Sequence, residues 1–172
     1  MNYIIKNSKL KAVISSNGAE LRELYDENNQ NRMHTPSSET WNRVSPILFP
    51  QVSRIKGGYY NVNNISYAMP AHGFFRNMEI NPSIVKEDSI TFTICDNQET
   101  LKVYPYKFEF SVTYKLIDNK LKVIFEVINK DKVIATLSKG ASLNMEMTVT
   151  NGRGYVKSEE NKKLYDIKKA GV

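Results

Sequence analysis

The chain is expected to be all-β, an antiparallel β-sandwich. Apolar and polar residues alternate one for one through many short segments, and turn residues separate nearly all of them. No convincing amphipathic helix precedes residue 150. Short strands at close spacing, without helices between them, lack the crossovers a parallel sheet needs.

Three strands are expected first, at 3–5, 10–15 and 19–25, with Asn17-Gly18 turning the second into the third and the polar stretch 26–31 ending the third. After the Gly57-Gly58 turn, 59–62 and 65–69 read as a hairpin closed by Asn63-Asn64. Strands at 79–85 and 89–95 meet across Glu87-Asp88. The strongest pattern is 107–129. Phe108, Phe110, Val112, Tyr114 and Leu116 alternate with Lys107, Glu109, Ser111, Thr113 and Lys115, the period of a strand with one buried and one wet face. Asp118-Asn119 turns the chain, and Leu121, Val123, Phe125 and Val127 resume the alternation. Ile124 and Ile128 fall on the opposite face, so this hairpin carries apolar surface on both sides near its end. The character changes near 129–132; beyond it 133–137 and 143–149 are strand-like, and the last dozen residues are polar and lysine-rich.

At 172 residues the chain can bury one proper core. Its 41% apolar and 24% charged residues are those of an ordinary soluble domain. No run reaches the roughly 20 apolar residues a spanning helix needs, so no membrane partner is expected. No secretory signal is read at the N-terminus, and a cytoplasmic location is expected. Cys95 is the only cysteine, which rules out an internal disulfide and gives no metal site; it reads as an ordinary strand residue. The net charge of +6 comes from scattered lysines and arginines. The densest group, Lys162-Lys163 with Lys168-Lys169, reads as a solvated tail, so nucleic acid is not the expected partner.

Histidine chemistry has two candidates. His34, in Arg32-Met-His-Thr-Pro36, lies in a turn-like stretch and reads as a surface residue. His72 sits between two strands in Met69-Pro-Ala-His-Gly-Phe-Phe-Arg76, where Gly73 admits a close backbone or ligand and Arg76 offers a donor. An imidazole there can hydrogen-bond a hydroxyl or exchange a proton, or it can anchor its loop to a backbone group. Arg54, in Phe49-Pro-Gln-Val-Ser-Arg-Ile-Lys56, suits a polyhydroxylated ligand or a salt bridge equally.

Four blocks, taken together and in order, resemble the aldose 1-epimerase (galactose mutarotase-like) superfamily over residues 1–129. They are Ile14-Ser-Ser-Asn-Gly-Ala-Glu-Leu21, Trp41-Asn-Arg-Val-Ser-Pro-Ile-Leu-Phe-Pro-Gln-Val-Ser-Arg54, Ala71-His-Gly-Phe-Phe-Arg76 and Glu99-Thr-Leu-Lys-Val-Tyr-Pro-Tyr-Lys-Phe108. Within the superfamily they are similar to the branch encoded beside lactose genes in Gram-positive bacteria. The resemblance implies part of a large β-supersandwich that binds an aldose of galactose or glucose type in a cleft on one sheet. In the family's mechanism a glutamate takes the proton of the anomeric hydroxyl while a histidine protonates the ring oxygen. The ring opens, the C1–C2 bond rotates, and reclosure exchanges the anomers. A second histidine and an arginine hold and polarise the sugar, and no metal or nucleotide cofactor is needed. Arg54 matches the family's arginine, as a substrate-binding group. His72 matches its first histidine, as a substrate-binding and catalytic group.

The departure from the family pattern lies beyond the hairpin. No histidine follows His72, and neither Glu146 nor Glu159-Glu160 stands in the context of the family's glutamate. The family reaction, interconversion of α and β anomers, is therefore expected to be impaired, and a non-catalytic sugar-binding module is the alternative. Residues 131–162, with Gly152-Arg-Gly-Tyr155 the most specific block, resemble part of the N-terminal assembly domain of the bacterial RNA polymerase α subunit. The expected organisation is thus an incomplete epimerase-like domain over 1–129 and an incomplete polymerase-like segment over 130–172, in a fused reading frame. Sheets missing strands are expected to leave open edges prone to self-association.

Overall fold

The computed structural model describes residues 1–39 and 41–129 and the strand Ser142–Thr148. Strands β1 (Asn2–Lys6), β2 (Lys11–Ser15) and β3 (Leu21–Tyr25) form a three-stranded antiparallel sheet. β4 (Tyr59–Val62) and β5 (Ile65–Ala68) make an isolated hairpin. β6 (Pro82–Val85), β7 (Ser89–Cys95), β8 (Phe108–Ile117), β9 (Lys120–Asn129) and β10 (Ser142–Thr148) form a five-stranded sheet in the order β10-β9-β8-β7-β6, antiparallel throughout.

Periodicity sets these faces as expected. Phe108, Phe110, Val112, Tyr114 and Leu116 of β8 are all buried. The register places Ile90, Phe92 and Ile94 of β7 opposite Tyr114, Val112 and Phe110, so one apolar face spans both strands. The three-stranded sheet covers part of that face. Tyr3 meets Phe92 edge-on at 5.9 Å between ring centroids, and the buried Tyr114 hydroxyl donates to the Ala19 carbonyl at 2.8 Å. Both expected hairpin turns form with left-handed residues, Asn63 and Asn64 in one and Asp118 in the other. The β8–β9 hairpin is partly buried on both faces near its end, since Ile124 and Ile128 are half-buried along with Phe125 and Val127.

Some expectations need correcting. The third strand begins at Leu21 rather than Ala19, because Gly18 (φ +68°) and Ala19 (φ +46°) complete the turn. A short helix, α1 (Gln98–Val103), interrupts the β pattern. Six residues are too few to display a 3.6-residue apolar period, but the local chemistry that starts the helix is plain. The Asn97 side chain accepts from the N–H groups of Glu99 (2.9 Å) and Thr100 (3.0 Å), while the Thr100 hydroxyl accepts from the Asn97 N–H at 2.8 Å. The expected strand at 143–149 is β10, paired with β9 in the register Met145↔Phe125. The expected strand at 133–137 and the polar tail lie outside the described residues.

The described residues between β3 and β4 form no strand, and the segment meets the sheet face at Phe49. Phe49 pins it there: its ring stacks on Phe110 at 4.2 Å with an interplanar angle of 2°, and Phe74, Tyr104 and Phe108 surround it at 5.2–6.2 Å. The strap that carries Arg54 is thus seated on the core a few residues before the arginine.

Candidate functional site

Two irregular segments, the strap around residues 41–55 and the loop 70–78, are locked together by backbone groups. The Phe49 carbonyl accepts from the N–H groups of Phe74 (3.0 Å) and Phe75 (3.2 Å), and Phe49 and Gly73 form an isolated parallel bridge. A Cβ on Gly73 would stand 2.0 Å from the Phe49 carbonyl oxygen, so only glycine permits this approach.

Four residues farther along the strap, Ser53 and His72 exchange hydrogen bonds. The His72 N–H donates to the Ser53 carbonyl at 2.8 Å, and the Ser53 N–H donates to His72 Nδ1 at 2.9 Å. Both residues adopt left-handed backbone, φ +72° and +67°, a conformation that costs a non-glycine residue about 1 kcal/mol or more and is kept where surrounding structure imposes it. Because Nδ1 accepts, it carries no proton. The neutral ring is therefore the Nε2–H tautomer, and Nε2 has no partner among the described residues. His72 anchors its loop through one nitrogen and keeps the other as a donor.

Arg54 follows Ser53 directly. It is exposed, forms no ion pair among the described residues, and lines a shallow pocket of about 420 Å³ with Gly57, Gly58, Met69 and Ala71. Ala71 adjoins His72, so the fold brings the two sequence candidates to adjoining positions. Arg76 turns back on the loop: its Nη2 donates to the Ala71 carbonyl at 3.0 Å, while its buried Nε lacks a partner among the described residues. His34 takes no part. It is exposed, as expected of a surface residue, and its Nε2 lies 3.2 Å from the Trp41 carbonyl.

Sequence reasoning missed the support beneath this site. The Glu20 side chain is 2% exposed. Its Oε1 accepts from the N–H groups of Val44 (2.6 Å) and Ser45 (3.0 Å), and its Oε2 faces Arg22 at 3.3 Å and Arg43 at 3.5 Å. Arg43 reaches on to the Arg76 carbonyl and to Asn77 Oδ1, both at 2.8 Å. The available signal was a carboxylate set between two apolar residues, Ala19 and Leu21, at the start of a strand. Among the described residues no three His, Cys, Asp or Glu groups converge as a metal site would require, and no helix is long and apolar enough to cross a membrane. Cys95 ends β7, exposed, with its thiol 3.8 Å from Glu109.

The family model described as aldose 1-epimerase matches residues 1–150. The LacX protein encoded on the chromosome of Lactococcus lactis is 30% identical over 134 residues, covering 75% of this chain and 45% of LacX. The solved structure of a galactose mutarotase related enzyme from Lactobacillus acidophilus superposes with a TM-score of 0.74 at 41% identity, over 77% of this chain and 44% of that one. The chain therefore spans less than half the length of these relatives. A short stretch is similar to another protein altogether: 38 residues are 58% identical to the RNA polymerase α subunit of Moorella thermoacetica, covering 22% of this chain and 12% of that subunit.

Proposed function

The chain belongs to the aldose 1-epimerase family, and on that premise we propose that it binds an aldose of galactose or glucose type at the pocket beside Arg54 and His72, with its anomer exchange impaired. The observation that carries this reading is the Ser53–His72 exchange, which commits Nδ1 to the backbone, leaves Nε2–H as a donor, and ties His72 to the residue directly before Arg54, whose guanidinium forms no ion pair among the described residues. A donor and a planar fork on neighbouring positions suit the clustered hydroxyls of a sugar ring. His72 is the candidate proton-transfer group and shares sugar binding with Arg54.

Turnover needs more than this pair. The family's exchange couples a base at the anomeric hydroxyl to an acid at the ring oxygen. The chain carries no histidine after His72, and His34 is engaged elsewhere. A non-catalytic sugar-binding module is therefore the second reading. The proposal includes a fused organisation, epimerase-like over 1–129 and polymerase-like over 130–172, with the tail as a fragment of an assembly domain and open sheet edges available for self-association; the 38-residue polymerase match supports a polymerase-like stretch, while the epimerase family match runs on to residue 150. Capture of the large polymerase subunits by the chain would test that tail, and failure to capture them removes an assembly role. A cytoplasmic setting fits this reading.

Calorimetric titration with galactose and with glucose, paired with polarimetric anomer exchange, tests the site. Expected are saturable binding, its loss in His72→Ala, and exchange far slower than an intact mutarotase provides. Binding that survives His72→Ala removes the site assignment, and absence of binding to both sugars removes the function. Saturable binding with no acceleration of exchange selects the module.

A further inference from the structure

We propose that Glu20 and Arg43 are positioning residues for His72, acting through a relay that ends on the loop carrying it; the proposal rests on the sugar-site reading above. A buried carboxylate is costly unless its lone pairs are filled, and Glu20 fills them with the Val44 and Ser45 N–H groups and two guanidinium groups. An amide in its place would turn an NH₂ group toward Arg22 and Arg43 or toward the two N–H groups. The Ser45 hydroxyl adds a bond to the Leu21 carbonyl at 2.7 Å, so the head of the strap is tied at three points to Glu20 and the first residue of β3.

His72 is held between two segments, and both lead back to this carboxylate. The strap that begins at Val44-Ser45 carries Phe49 and Ser53, which hold Phe74, Phe75 and His72. The far end of the loop is held by Arg43, through the Arg76 carbonyl and Asn77 Oδ1. Arg76 in turn grips the Ala71 carbonyl, one residue from His72. Of the two arginines paired with Glu20, only Arg43 also bonds directly to the loop among the described residues. Arg22 pairs with the same carboxylate oxygen, with a similar exposure (28% against 25%), but no bond joins it to the loop among the described residues. The two arginines form a matched pair that separates positioning from plain charge pairing.

The test uses the full chain with ¹⁵N-labelled histidine rings, His34→Gln assigning the remaining ring to His72. The wild-type ring is expected to show one tautomer with the proton on Nε2. Arg43→Met, folded by circular dichroism, is expected to average the two tautomers and weaken sugar binding about tenfold; Arg22→Met is expected to leave the His72 ring unchanged. Glu20→Gln should act like Arg43→Met, and if it fails to fold, the arginine pair decides. A wild-type ring without a single tautomer, an unchanged ring in folded Arg43→Met, or an equal disturbance in Arg22→Met overturns the proposal. Ring disturbance confined to the Arg43 and Glu20 variants in a chain that binds neither sugar upholds the positioning and sinks the sugar reading instead.

Discussion

At the scale of single residues, the site depends on backbone approaches that side chains would block. Gly73 and Gly57 are both left-handed, at φ +74° and +76°, but a Cβ on Gly57 meets nothing within 4 Å while one on Gly73 meets the Phe49 carbonyl at 2.0 Å. Gly57→Ala is expected to cost only the conformational penalty, about 1 kcal/mol. Gly73→Ala must also break the Phe49 bridge, and a loss of about 3 kcal/mol or more is expected. Urea unfolding of the two variants measures the difference, and equal costs would mean that the loop is not pressed against the strap. Glu20→Ala is expected to be more damaging still than removal of an exposed acid such as Glu27, since it strands two backbone N–H groups and two cations.

Elements show how local chemistry and packing divide the work. Helix α1 exists because Asn97 and Thr100 cap it, so Asn97→Ala is expected to cost about 1 kcal/mol. Asn97→Asp, which keeps the acceptor, should cost little. The hairpin β4–β5 is tied to the end of this helix by the Tyr60 hydroxyl, which donates to the Val103 carbonyl at 2.7 Å. Burial pushes the Tyr60 phenol up to about 12, with Tyr106 and Tyr67 adding to the effect. Tyr104 and Tyr114 are raised as well, mainly by burial. A phenol whose folded pKa exceeds its unfolded value of about 10 favours the folded state fully below that value and loses the contribution as pH rises toward the folded pKa. Stability is therefore expected to fall between about pH 10 and 12. Tyr60→Phe should lessen the fall, as denaturation monitored across that range would show.

For the whole molecule, the feature most open to test is an apolar cleft among the described residues. One face of β8 and β9 opens into a cleft of about 490 Å³ lined by Leu24, Met33, Phe110, Tyr114, Leu121 and Phe125 among others. An apolar cleft of this size can take up a hydrophobic probe. The 172-residue chain is expected to enhance anilinonaphthalene sulfonate fluorescence, and Phe125→Ser to reduce that enhancement by about half or more. No enhancement would mean that the cleft is filled in solution.

The all-β class, the β8–β9 hairpin, the Asn63-Asn64 turn and the family were legible in sequence, because alternation and turn residues act within a few positions of one another and motif order survives without any structure. The matched positions Arg54 and His72 could be singled out for the same reason, and with them the lack of any later histidine. Short-range signals could not reveal α1, too brief for its own period, or the start of β3 at Leu21. Nor could they reveal which His72 nitrogen stays free, or that Glu20 supports the site from beneath. Those depend on contacts between residues 19 to 33 positions apart, Ser53 with His72, Glu20 with Val44, Arg43 with Arg76. Only the packing of the strap and the loop over the sheet brings such partners within hydrogen-bond reach.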